Sequence, residues 1–141
     1  MSIRQVAWIP LLLLIGCATP RQDFGSDNAA LPFSKAVLVG DTLYVSGHLG
    51  LDAKTGKPPA DASREVVLML DAFAATMARA GMTMDDLVQV QVYCSDLSLY
   101  GTFNEIYGGR FRENFPTRAF IAAPPLLKGC RFEIIGTAVR R

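Results

Sequence analysis

Between residues 36 and 94 the spacing of apolar positions changes from two to three or four and back. Ala36-Val37-Leu38-Val39 is a short apolar run, Gly40-Asp41 is a turn signal, and Thr42-Leu43-Tyr44-Val45-Ser46-Gly47 is a second β-rich run. This pattern predicts a hairpin. Residues 49–59 carry Gly50, Asp52, Gly56, Pro58 and Pro59, which predicts a loop with a tight turn at residues 52–56. Val66, Val67, Leu70, Phe73, Ala74 and Met77 then recur at three- and four-residue spacing. They predict a helix over residues 63–80, capped by Asp61 or Ser63 and stopped by Gly81. Met69 and Met77 fall to the core, while Arg64, Glu65, Asp71 and Arg79 fall to the wet side.

Thr83 caps an acidic turn, Met84-Asp85-Asp86-Leu87. After it Val88, Val90, Val92 and Cys94 alternate with Gln89, Gln91, Tyr93 and Ser95, the signature of a half-buried strand. Asp96 or Ser98 opens a second helix in which Leu99, Phe103, Ile106 and Tyr107 share a face, and Gly108-Gly109 ends it. Strands are expected at residues 117–123 and 131–139. The order β-β-α-β-α-β-β describes a two-layer α+β domain with both helices on one face of a mixed sheet. Strands rich in Val, Ile and Phe cannot leave the other face wet, and the simplest cover is another copy of the same chain.

The amino end follows a different rule. Residues 1–5 carry one cation, Arg4; residues 6–15 are apolar except for Pro10; Gly16-Cys17 follows. Such a run is too short for a bilayer span and reads as an export signal. Leu14-Ile15-Gly16-Cys17 resembles a bacterial lipobox, which implies cleavage before Cys17 and acylation of its thiol. Ala18 after the cysteine favours the outer membrane over the inner. The expected organisation is a lipoprotein signal at 1–16, a flexible tether at 17–31 containing Pro20, Gly25 and Ser26, and a folded domain at 32–141. The body would be exported, facing the bacterial periplasm and held to the membrane through lipid alone.

The chain has 141 residues, 19% of them charged, and a formal net charge of +1. Loss of Arg4 with the signal leaves the body neutral and without a basic run, which argues against a nucleic-acid platform. Cys94 and Cys130 sit in apolar surroundings and are read as two buried thiols. No zinc-ligand spacing occurs, so neither metal nor cofactor is expected. His48 is the single histidine and lacks partners in sequence; Ser46 has no histidine-acid chain to activate it. What remains is one cation and one anion within apolar strands, Arg118 and Glu133. Isolated charges are costly to bury, so the two form either an ion pair on facing strands or two halves of a polar site.

The stretches Pro32-Phe33-Ser34-Lys35-Ala36, Leu43-Tyr44-Val45-Ser46-Gly47, Tyr93-Cys94-Ser95-Asp96-Leu97, Phe103-Asn104-Glu105-Ile106-Tyr107, Phe115-Pro116-Thr117-Arg118 and Phe132-Glu133-Ile134 resemble, in order and spacing, the RidA/YjgF family, also called the endoribonuclease L-PSP family. The resemblance implies a chorismate-mutase-like fold assembled as a trimeric barrel with active sites in clefts between subunits. It also implies a deaminase that hydrolyses reactive enamines and imines of 2-oxo acids, of the 2-iminobutanoate and 2-iminopropanoate type. Arg118 would hold the substrate carboxylate and Glu133 would handle the attacking water. Ser46, Gly47 and Asn104 would line the pocket. Two positions depart from the family pattern: its pocket tyrosine is Phe33 here, and a position often occupied by cysteine is Phe120. Both imply a larger, less polar pocket, and with it either a different substrate side chain or lost activity. A carboxylate-binding trimer without turnover is the alternative, and ribonuclease activity, reported for some relatives, stands against the neutral charge.

Overall fold

The computed structural model describes residues 19–26 and 30–141. The signal-like segment and Cys17 lie outside the described residues. Strands β1 (Arg21–Gly25), β2 (Ser34–Val39), β3 (Thr42–Leu49), β4 (Leu87–Cys94), β5 (Thr117–Ala122) and β6 (Phe132–Val139) form one sheet in the order β1-β2-β3-β6-β4-β5. Helices α1 (Ala62–Arg79) and α2 (Tyr100–Gly108) pack together, with α1 lying against β3 and β6. The two-layer α+β class is as expected. Only β4 and β5 pair in parallel, joined through α2; every other pairing is antiparallel.

The hairpin forms because Gly40 opens its two-residue turn at φ 58°, a left-handed value that a side chain disfavours. α1 begins one residue earlier than the spacing suggests. Asp61 is its cap, accepting a hydrogen bond from the Ser63 amide at 3.0 Å. Val66, Met69, Leu70, Phe73 and Met77 are fully buried beneath it, each worth about 1.5–3 kcal/mol as area removed from water. The turn at residues 52–56 is present: the Asp52 carboxylate accepts from the Lys54 and Thr55 amides and the Gly56 amide donates to the Asp52 carbonyl. The second helix starts with a 3-10 turn, Leu97–Leu99, capped by Asp96 through the Ser98 amide. Cys94 and Cys130 are both buried free thiols.

Three expectations need correction. The segment read as a tether contains β1, which pairs with β2 from Arg21↔Val39 to Gly25↔Ser34. Of this edge strand only Phe24 is buried, so no alternation advertised it; backbone pairing and an Arg79 hydrogen bond to the Gly25 carbonyl hold it. In β4 the alternation starts at Val90, because the register shifts between Leu87 and Gln89 and leaves Val88 exposed. The third correction concerns Glu65, which is completely buried instead of wet.

Glu65 is buried because it has work within the fold. One carboxylate oxygen accepts the backbone amides of Arg131 at 2.6 Å and Phe132 at 3.1 Å, and the other accepts Arg131 Nε at 2.6 Å. The Arg131 fork continues to the carbonyls of Pro59 and Ala60. A single carboxylate thus ties the start of α1 to the start of β6, two residues from Glu133.

The sheet face away from the helices is uncovered within the chain. Tyr44, Gln89, Gln91, Ile135 and Thr137 surround a shallow depression of about 190 Å³ on it. Tyr44 is half exposed. The interleaved glutamines and threonine make this face more polar than Val-Ile-Phe strands imply.

Candidate functional site

Arg118 and Glu133 do not sit on facing strands. β4 runs between β5 and β6, with Arg118 level with Val90 and Glu133 level with Tyr93. Val90 is in the core and Tyr93 lies three positions further along the strand, an odd step, so period-2 alternation sends the two charges to opposite faces of the sheet. The ion-pair reading within one chain is therefore excluded. Arg118 lies on the helix side and Glu133 on the uncovered side.

The Arg118 half is built by α2 and β5. Asn104 Oδ1 accepts from Arg118 Nη2 at 2.6 Å, and the same nitrogen lies 3.4 Å from the Tyr100 hydroxyl. Four rings surround the guanidinium, with Cζ 4.8 Å from the Tyr107 centroid, 5.6 Å from Phe103 and 5.8 Å from Tyr100 and Phe120. Phe120 is wedged edge-on between Tyr100 and Phe103. Arg118 Nη1 and Nε make no hydrogen bond among the described residues. They point to a ligand with two acceptor atoms, because a guanidinium fork pairs best with a planar carboxylate. The cleft here measures about 410 Å³ and is lined by Asn104, Tyr107, Gly108, Phe115, Pro116 and Arg118.

Electrostatics follow from that cation. The hydrogen bond with Asn104, and then the Arg118 charge, hold the Tyr100 phenol below its usual range. Burial pushes Tyr107 up to about 12 against the opposing pull of Arg118, so it stays neutral at physiological pH.

The Glu133 half is built by the irregular end of β3. Between Val45 and His48 the register shifts, so that Ser46 and Gly47 together oppose Ile135 as a bulge. The Glu133 carboxylate lies over the bulge. A Cβ on residue 47 would stand 2.0 Å from Glu133 Oε1, so only glycine admits it. Ser46 Oγ donates to the Lys35 carbonyl at 2.9 Å, spending its proton on the neighbouring strand. A cleft of about 500 Å³ opens beside it, with Leu31, Phe33, Ser46, Gly47 and Leu127 among its lining. Phe33 is 52% exposed there.

His48, although beside this cleft, is occupied. Its Nδ1 is 2.8 Å from the Ser46 carbonyl and its Nε2 is 2.7 Å from Thr76 Oγ1. A carbonyl only accepts, so Nδ1 donates to it, while Nε2 shares a hydrogen bond with the Thr76 hydroxyl. The ring packs edge-on against Phe73 as a core histidine.

The site residues expected from sequence thus divide into two groups. Arg118, Asn104 and Phe120 meet on one side; Gly47 and Glu133 meet at the β3 bulge, and Phe33 lines a cleft with Ser46 and Gly47 that also includes Ala72 of α1. Tyr100 and Tyr107 were not singled out as site residues; Tyr107 reads as part of the apolar face of an amphipathic helix. A signal was available in the three-residue step from Asn104 to Tyr107, which puts them on one helix face.

Among the described residues, fold and geometry define a six-stranded, two-helix α+β protein with a cationic cleft of about 410 Å³ on one side and a carboxylate over a glycine bulge on the other. The family model for endoribonuclease L-PSP matches residues 26–140, and the chain belongs to that family, the RidA/YjgF proteins. It is 34% identical over 110 residues to the human 2-iminobutanoate/2-iminopropanoate deaminase, covering 77% of this chain and 80% of the relative. Its fold is similar to the crystal structure of the Escherichia coli YjgF gene product, with TM-score 0.78, 30% identity, and 85% and 99% of the two chains covered. It is also similar to E. coli TdcF with bound serine, with TM-score 0.75, 30% identity, and 80% and 90% covered.

Proposed function

We propose that this protein is a deaminase that hydrolyses reactive imines and enamines of 2-oxo acids to the oxo acid and ammonia, in clefts formed between copies of the chain. The observation that carries the proposal is Arg118, held by Asn104 in an aromatic surround with two donors of its fork unpaired within the described residues. The human relative's name gives the reaction class.

A substrate carboxylate accepts from Arg118 Nη1 and Nε, which fixes the imine carbon in position. Glu133 from a neighbouring copy takes a proton from water as the oxygen adds to that carbon. That proton passes to nitrogen; as the tetrahedral adduct collapses, its hydroxyl proton also moves to nitrogen and the C–N bond breaks, yielding the 2-oxo acid and ammonia. No other reactant is consumed. Because Arg118 and Glu133 face opposite sides of one sheet, each chain supplies half of two different sites; a closed ring of three copies, as the family resemblance implies, pairs every half and covers the open face.

The test is ammonia release from freshly generated 2-imino acids, run over a panel of side chains. Turnover above the buffer rate supports the proposal. Thermal stabilisation by 2-oxo acids with no turnover anywhere on the panel would replace it with the non-catalytic carboxylate-binding reading.

The proposed location is the bacterial periplasm, anchored through lipid on Cys17, on the strength of Leu14-Ile15-Gly16-Cys17. Four residues from Cys17 to Arg21 reach at most about 14 Å, so β1 would lie close against the bilayer. Labelled fatty acid should enter the wild-type protein and not Cys17→Ser; equal labelling of neither sinks the anchor.

A further inference from the structure

Tyr107 contradicts the economy of the core around it. The residue is 4% exposed and its hydroxyl has no hydrogen-bond partner among the described residues. Leaving a buried hydroxyl unpaired costs about 1–3 kcal/mol, and phenylalanine would fill the same volume without that cost. Its ring stacks on Phe103, touches Phe111, and lies 4.8 Å from Arg118 Cζ, and it lines the cleft that Arg118 lines. The ring that carries the orphan donor therefore stands beside the cation whose fork is incompletely used. Unpaired polar groups that lower stability are retained where function needs them.

We infer that the Tyr107 hydroxyl is a substrate-binding donor, giving a hydrogen bond to the carboxylate oxygen that Arg118 also holds. An oxygen accepting at about 2.9 Å from a guanidinium and about 2.7 Å from a phenol bridges a gap of about 5–6 Å. A ring centred 4.8 Å from Cζ has room for such a bridge. The hydroxyl thus separates ligands by their anionic end: a 2-imino or 2-oxo carboxylate satisfies it, whereas an amide or ester of the same acid presents only a weak acceptor. This inference rests on the carboxylate-clamp reading of Arg118 and adds to it a second, uncharged donor.

The experiment compares full-length wild type with Tyr107→Phe. Two quantities are measured: KM and kcat on the best imine of the panel, and the melting-temperature shift produced by pyruvate and by pyruvamide. Removing an orphan hydroxyl should leave the ligand-free melting temperature unchanged or higher, a sign that a structural role would reverse. KM should rise about tenfold with kcat within about twofold, the effect of one hydrogen bond to a charged group. The pyruvate shift should shrink, with pyruvamide giving little shift in either protein. A wild-type pyruvate shift that Tyr107→Phe retains in full overturns the assignment of Tyr107 alone. So does a lower ligand-free melting temperature with KM unchanged, the result expected if an internal water occupies the hydroxyl. Absence of any carboxylate-induced shift or turnover in wild type overturns the Arg118 clamp and Tyr107 together.

Discussion

Mixed assemblies of Arg118→Ala and Glu133→Gln chains are expected to regain deaminase activity that neither variant has alone. Each single substitution should lower kcat/KM by about 10²–10⁴-fold. Arg118→Ala removes the bidentate carboxylate contact and the alignment it gives, and Glu133→Gln removes the proton acceptor. In the Arg118→Ala chain Glu133 remains over the Gly47 bulge, and in the Glu133→Gln chain Arg118 remains on Asn104. If a working cleft takes its arginine from one copy and its glutamate from the next, random mixing at equal amounts leaves about one quarter of the clefts intact. Chains refolded together should therefore recover about a quarter of wild-type turnover, measured as ammonia release. A mixture as inactive as its components would place the whole site within one chain and defeat the shared-cleft arrangement, whatever the reaction proves to be.

The second large effect concerns stability. Glu65→Ala should lower the unfolding free energy by about 3–5 kcal/mol, because it strands the partner of a buried ion pair together with backbone donors. The losses are specific: the amides of Arg131 and Phe132 lose their only side-chain acceptor, and the guanidinium of Arg131, 28% exposed, loses its counter-charge. For a domain of this size the melting temperature should fall by about 10–20 °C. Glu65→Gln still offers an oxygen to the two amides, so it should lose clearly less. A fall of under about 1 kcal/mol in Glu65→Ala, read from urea unfolding, would show that water replaces the carboxylate and that the tie between α1 and β6 is dispensable.

The consequence reaches the site, since Phe132 directly precedes Glu133 and Leu49 pairs with it. A Cβ on Gly50 would stand 2.1 Å from the Glu65 carbonyl oxygen, so the end of β3 is pressed against α1 at the same place. The carboxylate over the Gly47 bulge is therefore held from two sides by the start of α1.

Much of this was legible in the residues alone. Periodicity marked both helices and the five strands whose apolar positions alternate or cluster, because burial imposes period 3.6 or 2 wherever a face meets the core. The hairpin turn was legible, and the cap was narrowed to Asp61 or Ser63, because both depend on neighbours within three residues. β1 was not, since an edge strand burying only Phe24 leaves no alternation. Glu65 was read as wet for its charge, although it stands four residues before Met69 on the buried stripe; its partner Arg131 is 66 residues away.

The motifs of the sequence by themselves determined the family and singled out Arg118, Glu133, Asn104, Ser46 and Gly47 as candidate site residues. Only the tertiary structure decided where those residues face. β6, last in the chain, inserts between β3 and β4, and a strand's faces acquire sides only when its neighbours are known. With β4 between them and an odd number of steps along it from one partner to the other, Arg118 and Glu133 point apart. The physical reason is that alternation fixes side-chain direction relative to a strand, whereas strand order, set by long-range pairing, fixes it relative to the molecule.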